Sequence, residues 1–347
     1  MAKKKTLGKW LGIAALIILL AGGFIAFKLY QAFMAPSIMT NEDGYFYVHT
    51  GDTYTDVLRR IKEDNVVKHP DLFDFVAQQM DYPTNVKPGR YKLVEGMNNR
   101  RFIGNLRGGY QDAVKLQFAN IRLKENFAGL LGENFEADST AFSEILNNEA
   151  VAEQYGFTAE NFYSMFIPNT YEIYWNTSPD KIIERLNVEY KKFWTDTRLE
   201  QAKAQHLTPI EVSILASIVR GEALHTDEMP EIAGLYLNRL KKGMLLQADP
   251  TVIFANNDFT IRRVLNRHLT IDNPYNTYRY KGLPPGPITM PPIAAIDAVL
   301  QPSMHNYIYM CAKDDFSGYH NFAVTVAEHL VNARKFQKAL DERNIKK

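Results

Sequence analysis

From Trp10 to Phe27 the chain runs without a charged residue. At 1.5 Å per residue a helix over that run spans about 27 Å, close to the roughly 30 Å hydrocarbon core of a bilayer. Beyond it the hydrophobic period shortens and then lengthens again. "YFYVH" reads as a short strand, and "GDTYTDVLRRIKED" as a turn, a cap and a helix with Val57, Leu58 and Ile61 inward. A second helix starts near Pro70 and carries Leu72, Phe73 and Val76, after which "PGRYKLVEGM" returns as a strand. From Ala113 to about His206 a strand-like start, "AVKLQFANIR", gives way to helical segments. The next helix has a clear beginning: Thr208 as N-cap, Pro209 in the first turn, and Glu211 three residues on to complete a capping box. "IAGLYLNRLKKGMLLQADPTVIFA" then predicts a second amphipathic helix, closed by Gly243 and an extended segment. No internal repeat or low-complexity region interrupts the pattern, and "LDERNIKK" ends the chain as a solvated helix end.

Composition narrows the picture. The 347 residues suffice for two or three domains, and 46% hydrophobic content supports real cores. Forty Lys and Arg against 39 Asp and Glu give no reason to expect a nucleic-acid partner. A single cysteine, Cys311, excludes an intramolecular disulfide framework and any multi-cysteine metal site. The eight histidines are scattered with no H-E-x-x-H helix, which argues against a zinc enzyme. Lys3, Lys4, Lys5 and Lys9 precede the apolar run, which keeps the N-terminus in the cytoplasm and sends everything after Lys28 outside. A cleaved signal peptide competes with an uncleaved anchor, but the run is long and no clear A-x-A site follows it, which favours the anchor.

The candidate chemistry begins in "ILASIVRGEA". Counting back from Glu222 in helical steps gives Ile218, then Ile214 or Leu215, so an apolar face ends in a carboxylate. A carboxyl held against such a face has its charged form disfavoured and stays protonated near neutral pH. The negative end of the helix dipole pushes the same way. A solvated glutamate at a fraying helix end is the plainer reading of the same spacing. Downstream, polar groups gather in Asn238, Arg239, Gln247, Asp249 and Thr251, and Pro250 restricts the backbone of Asp249 to extended conformations. "NPYNTYRYKGLPPGPITMPP" is a stiff aromatic loop with Asn276, Thr277 and Tyr278. Its prolines lack the N–H donors of a phosphate nest, so it suits uncharged polar ligands such as sugars, or serves only as a rigid loop. The aromatic stretch "NFYSMFIPNTYEIYWNTSP" either stacks on sugar rings or fills a core.

Two resemblances organise these pieces. The strand, two helices and strand with the "GDT" turn are similar to a LysM domain, a carbohydrate-binding module of cell-wall proteins, although an ordinary small α+β module has the same outline. "LASIVRGEA", "AGLYLNRLKKGMLLQADPTVIFA", "NPYNTYRYKGLPPGPI" and "HNFAVTVAEH" stand in the order and spacing of the YceG-like family, the MltG-type endolytic murein transglycosylases. The resemblance covers the whole chain. It implies an α+β protein in three parts: residues 1–36 as cytoplasmic tail, transmembrane helix and linker, 37–113 as a LysM-like βααβ module, and 114–347 as a larger mixed α+β catalytic domain. It implies a single-pass protein of the bacterial inner membrane with its bulk in the periplasm, acting in cell wall assembly. Peptidoglycan glycan strands are then the substrate, with the cell membrane and peptidoglycan synthases as further partners.

The family's catalytic glutamate matches Glu222. One departure is notable: many members carry a second Glu two positions earlier, where this chain has Arg220. The implied reaction uses one acid, with no metal or cofactor, to cut between N-acetylmuramic acid and N-acetylglucosamine and leaves a 1,6-anhydro end. Asn238, Arg239, Gln247, Asp249, Thr251, Asn276, Thr277 and Tyr278 are the candidates for positioning the sugars. Two rivals remain: a hydrolase with Asp249 as second carboxylate, and a non-enzymatic wall-binding scaffold.

Overall fold

The structure is a computed structural model that describes residues 2–343, with side chains from Lys9 onward. The side chains of Lys3, Lys4 and Lys5 and the final residues 344–347 lie outside the described residues. The fold is mixed α+β and mostly helical, with three two-stranded sheets among the described residues. The chain divides into two compact units, Met1–Lys115 with Glu172–Thr177, and Leu116–Tyr171 with Ser178–Lys347.

The first unit opens with helix α1, Ala2–Phe33. Its stretch Lys9–Phe33 is long and apolar enough to cross a membrane, the signature of a membrane anchor or a signal sequence. Then come β1 (Tyr45–Val48), α2 (Tyr54–Glu63), α3 (Pro70–Gln79), β2 (Gly89–Lys92) and α4 (Asn99–Gly108). The two strands pair antiparallel from Tyr45 opposite Lys92 to Val48 opposite Gly89. Thr53 and Asp56 form a reciprocal capping box at the start of α2, which fixes where the helix leaves the "GDT" turn. Val57, Ile61, Phe73 and Val76 are buried together, while Leu58 and Leu72 pack against them half-buried. Helix α4, in a segment that the pattern left unassigned, adds Phe102, Ile103 and Leu106 to the same core. The last turn of α1 joins this core too. Ala32 is buried, Asn99 Nδ2 donates to its carbonyl at 2.9 Å, and Phe33 meets Phe75 edge-on at 6.2 Å.

The chain continues through β3 (Ala113–Gln117), α5 (Lys124–Asn134), α6 (Ser139–Leu146), α7 (Glu149–Gln154) and β4 (Thr170–Tyr174). The aromatic stretch is core, not groove. Phe162, Tyr163 and Phe166 are buried, with the Phe166 ring 5.0 Å from Phe127 and 5.3 Å from Phe162. After α8 (Pro179–Phe193) and α9 (Asp196–Ala204) comes the central helix α10, Pro209–Glu222. It is followed by α11 (Met229–Lys241), α12 (Asp249–Asn256) and α13 (Ile293–Leu300), the hairpin β5 (Tyr309–Ala312) and β6 (His320–Ala323), and α14 (Val326–Glu342).

Val212, Leu215, Ile218 and Val219 of α10 pack with Ile232 and Leu235 of α11 and Ile296 and Val299 of α13. Each such side chain contributes about 1.5–3 kcal/mol by leaving water, which fixes α10 as the axis of the unit. The expected extended segment after Gly243 lasts only to Ala248, and Asp249 is the first residue of a helix rather than an extended one. Pro250 is at home in that first turn, where its missing N–H has no intrahelical partner to lose.

Candidate active site

The start of α10 sets the position of its end. Thr208 N–H donates to Glu211 Oε2 at 2.7 Å, and Glu211 N–H donates to Thr208 Oγ1 at 3.3 Å, closing the predicted capping box. From that fixed start the apolar face runs through Leu215 and Ile218 and delivers Glu222 at the last helical residue. Glu222 lies in a cleft of about 220 Å³ shared with Tyr236, Arg239, Gln247, Asp249, Tyr278 and His320. The residue as a whole is half-buried and its carboxyl is surrounded by protein, which argues against the plainer reading of a solvated helix end.

Burial is the largest influence on Glu222 and pushes its pKa up to about 7. The Tyr236 hydroxyl, donating to Oε1 at 2.7 Å, pulls the other way by favouring the anion. The Asp249 charge raises the pKa further, and the Arg239 guanidinium lowers it. The result is an acid that holds its proton near neutrality yet has a donor waiting to receive the carboxylate. Tyr236 is itself buried, and its own pKa is pushed well above the ordinary value by burial and by Glu222.

A glycine makes this proximity possible. A Cβ on Gly221 would sit 2.7 Å from Pro250 Cβ and 2.9 Å from its Cγ, so only glycine lets the first turn of α12 lie against the end of α10. That approach brings Asp249 beside Glu222, with the Asp249 backbone as a further hydrogen-bond partner of the acid. The Asp249 carboxylate is engaged elsewhere: Tyr278 Oη donates to its Oδ1 at 2.6 Å. Arg239 is buried and spans the floor, donating through Nε to Ile308 O at 2.6 Å and through Nη1 to Leu246 O at 2.7 Å.

The remaining sequence candidates do not line the cleft. Asn238 Nδ2 donates to the carbonyls of His305 and Tyr307, at 2.8 and 3.1 Å. Thr251 and Thr277 are buried with their hydroxyls 2.8 Å apart, and the Thr277 hydroxyl accepts from Ala248 N–H at 3.0 Å. Asn276 is buried and donates to Leu269 and Ile271 carbonyls at 2.9 and 2.8 Å. These three fix the backbone that presents Gln247, Asp249 and Tyr278. The proline-rich loop is tied to α10 in the same way, with Ile288 N–H donating to Ser217 Oγ at 3.0 Å.

Arg220 leaves the cleft altogether. Its Nε donates to Asn120 Oδ1 at 3.2 Å and its Nη1 to Ala223 O at 3.1 Å, since two residues along a helix is roughly 200° of turn from Glu222.

Tyr236 and His320 belong to the cleft but escape a reading by residue type. Tyr236 hides in an apolar stripe; its signal is a position three residues before Arg239, on the same helix face. His320 sits in "HNFAVTVAEH" and carries no local signal of its role. A larger depression of about 640 Å³ lies elsewhere on the unit, but its only carboxylate, Asp297, is paired with Arg198 at 2.8 Å. Among the described residues no group of three or more His, Cys, Asp or Glu is placed to hold a metal ion.

The chain is similar to known proteins in sequence and in fold. A model of the YceG-like family matches residues 46–335. A Bacillus subtilis (strain 168) protein named endolytic murein transglycosylase is 26% identical over 319 residues, covering 85% of this chain and 85% of its own length. A Streptococcus pneumoniae serotype 2 protein of the same name is 25% identical over 330 residues. That match takes in 86% of this chain but only 59% of the longer streptococcal protein. A 2.6 Å crystal structure of a yceG-like protein from Listeria monocytogenes shares the fold, with a TM-score of 0.54 at 23% identity over 83% of this chain and 98% of that one.

Proposed function

The chain belongs to the YceG-like family, and on that footing we propose that it is an endolytic lytic transglycosylase of peptidoglycan. Glu222 is its general acid and base. The observation that carries the reading is a carboxyl raised to about 7 by burial inside a polar cleft, with the Tyr236 hydroxyl on Oε1. In the first step Glu222 gives its proton to the glycosidic oxygen as the bond from C1 of N-acetylmuramic acid breaks. The neighbouring acetamido group of the substrate shields the cation. In the second, the Glu222 carboxylate takes the proton of the muramic C6 hydroxyl while that oxygen bonds to C1. The products are a free hydroxyl on N-acetylglucosamine and a 1,6-anhydro end; no water is consumed and Glu222 regains its proton.

Tyr236 and Arg239 favour the carboxylate between the two steps, and Asp249 opposes it. Gln247, Asp249 and Tyr278, lining the same cleft, are the groups for orienting the sugars. The hydroxyl of Tyr278 on Asp249 favours a positioning role for Asp249 over that of a second catalytic carboxylate. The rest of the proposal follows the chain: α1 as an uncleaved single-pass anchor of the inner membrane with a cytoplasmic N-terminus, 37–113 as a LysM-like module, and 114–347 as a periplasmic catalytic domain.

The test is Glu222→Gln, nearly isosteric but unable to act as an acid. Cleavage of glycan strands should fall by at least about 10²–10⁴-fold with strand binding unchanged and the fold no less stable than wild type. Near-normal cleavage by the folded variant would remove Glu222 from the mechanism.

A further inference from the structure

Ninety-two residues apart in sequence, Glu228 and His320 meet at the edge of the cleft. Glu228 is buried, 3% exposed, just before α11, and both its oxygens are committed to one residue. Oε1 accepts from the His320 backbone N–H at 2.6 Å, and Oε2 lies 2.8 Å from the ring Nδ1. A carboxylate accepts, so Nδ1 carries the hydrogen, and in the neutral ring Nε2 is left as an acceptor. Among the described residues Nε2 makes no hydrogen bond of its own, and the ring lines the same cleft as Glu222.

Holding the β5–β6 hairpin in place does not require this pair. The hairpin tip is already pinned to the 225–228 turn. The Tyr319 ring stacks on His225 at 4.1 Å, Tyr319 Oη donates to Asp227 at 3.0 Å, and His225 Nε2 meets Ser317 O at 2.8 Å. Burying a carboxylate carries a large desolvation cost, and an apolar side chain would serve better if only packing were needed. What the buried carboxylate does that an apolar one cannot is fix both the tautomer and the direction of an imidazole, as a buried aspartate does for the histidine of a serine protease.

We propose that His320 is a further substrate-contacting residue of the cleft, its Nε2 accepting a hydrogen from a sugar hydroxyl of the glycan, with Glu228 as its positioning residue. The proposal rests on the glycan-cleaving reading but is tested apart from it, by binding in a background that does not cut. In full-length Glu222→Gln protein, His320→Asn keeps an amide donor near the place of Nδ1 and removes Nε2. His320→Gln reaches nearer to Nε2. Binding of uncrosslinked glycan strands should weaken about tenfold in the Asn variant, the loss of one good hydrogen bond, with melting temperature unchanged. The Gln variant should recover part of it.

With Glu222 intact, His320→Asn should lower kcat/KM by a similar factor. Glu228→Gln turns an acceptor into a donor at Nδ1 and reverses the tautomer. It should therefore cost as much, and the double variant no more than either single one. An Asn variant that binds and cleaves as wild type would overturn the proposal. So would a destabilised Asn variant whose binding the Gln variant fails to restore. If wild type makes no anhydro ends, the proposed function fails, while the binding comparison still reads His320.

Discussion

The Tyr236 hydroxyl donates a 2.7 Å hydrogen bond to Oε1 of Glu222. It opposes the burial that dominates the acid, so the pKa settles at about 7 rather than higher. An acid that must give a proton and then take one back needs both influences, because either alone would favour one half of the reaction.

The pH profile should carry that balance. In the proposed reaction Glu222 acts first as an acid, so kcat/KM should fall as pH rises through about 7, where the carboxyl ionises. Tyr236→Phe removes a group that favours the anion, so the alkaline limb should move to higher pH while kcat falls about tenfold. A limb unmoved by the substitution would mean that Tyr236 does not tune the acid.

Stability should answer to the same carboxyl. Its folded pKa lies above the ordinary 4.5, so the folded state holds the proton more tightly and ionisation costs stability. The cost is absent below the ordinary value and complete above about 7. Glu222→Gln, which never ionises, should therefore be more stable than wild type at pH 8, by on the order of 1–3 kcal/mol, and equal to it at pH 4. Urea unfolding at the two pH values checks this; a Gln variant less stable at pH 8 would contradict the burial of the acid.

Gly221→Ala should damage the site without touching a polar group. The new Cβ, 2.7 Å from Pro250 Cβ, must push α12 away from α10 and take Asp249 with it. Overpacking of this kind costs about 1–3 kcal/mol, and activity should drop further than the melting temperature alone explains. Full activity with an unchanged melting temperature would show that the two helices have room to spare.

The proposed anchor makes a separate prediction. Ala32, at the end of α1, is buried in the core of its own unit and receives the Asn99 amide, so cleavage that removed the helix would strip a core residue. Protein isolated from membranes should begin at its encoded N-terminus and need detergent for release. A mature, soluble chain starting after residue 33 would establish a signal peptide instead.

The legible parts of the sequence were those with a local cause. A capping box and a 3.6-residue period define α10 and put Glu222 at its apolar end, and the "GDT" turn with its cap does the same for α2. Long-range causes left no such trace. Gly221 is needed because Pro250 packs on it from 29 residues away. Glu228 meets His320 across 92 residues, and neither has a patterned neighbour. Asp249 reads as extended because a proline follows it, but the same proline also starts a helix, and packing against Gly221 decides between the two. Thr251, Asn276 and Thr277 share the residue types of a sugar site, but their polar groups turn to backbone, which no count of residue types reveals.

The most direct test of the account is the mass of the products. Full-length protein in detergent, given uncrosslinked glycan strands, should cut them internally and leave 1,6-anhydro-muramic ends, one water lighter than hydrolysed ends and resistant to borohydride. The tethered C6 hydroxyl should outcompete water because well-aligned intramolecular attack reaches effective molarities of roughly 10⁵–10⁸ M. Asp249→Asn should slow the reaction and leave those ends unchanged. Reducible muramic ends as the main product would contradict the account, since they require an activated water and a second working carboxylate.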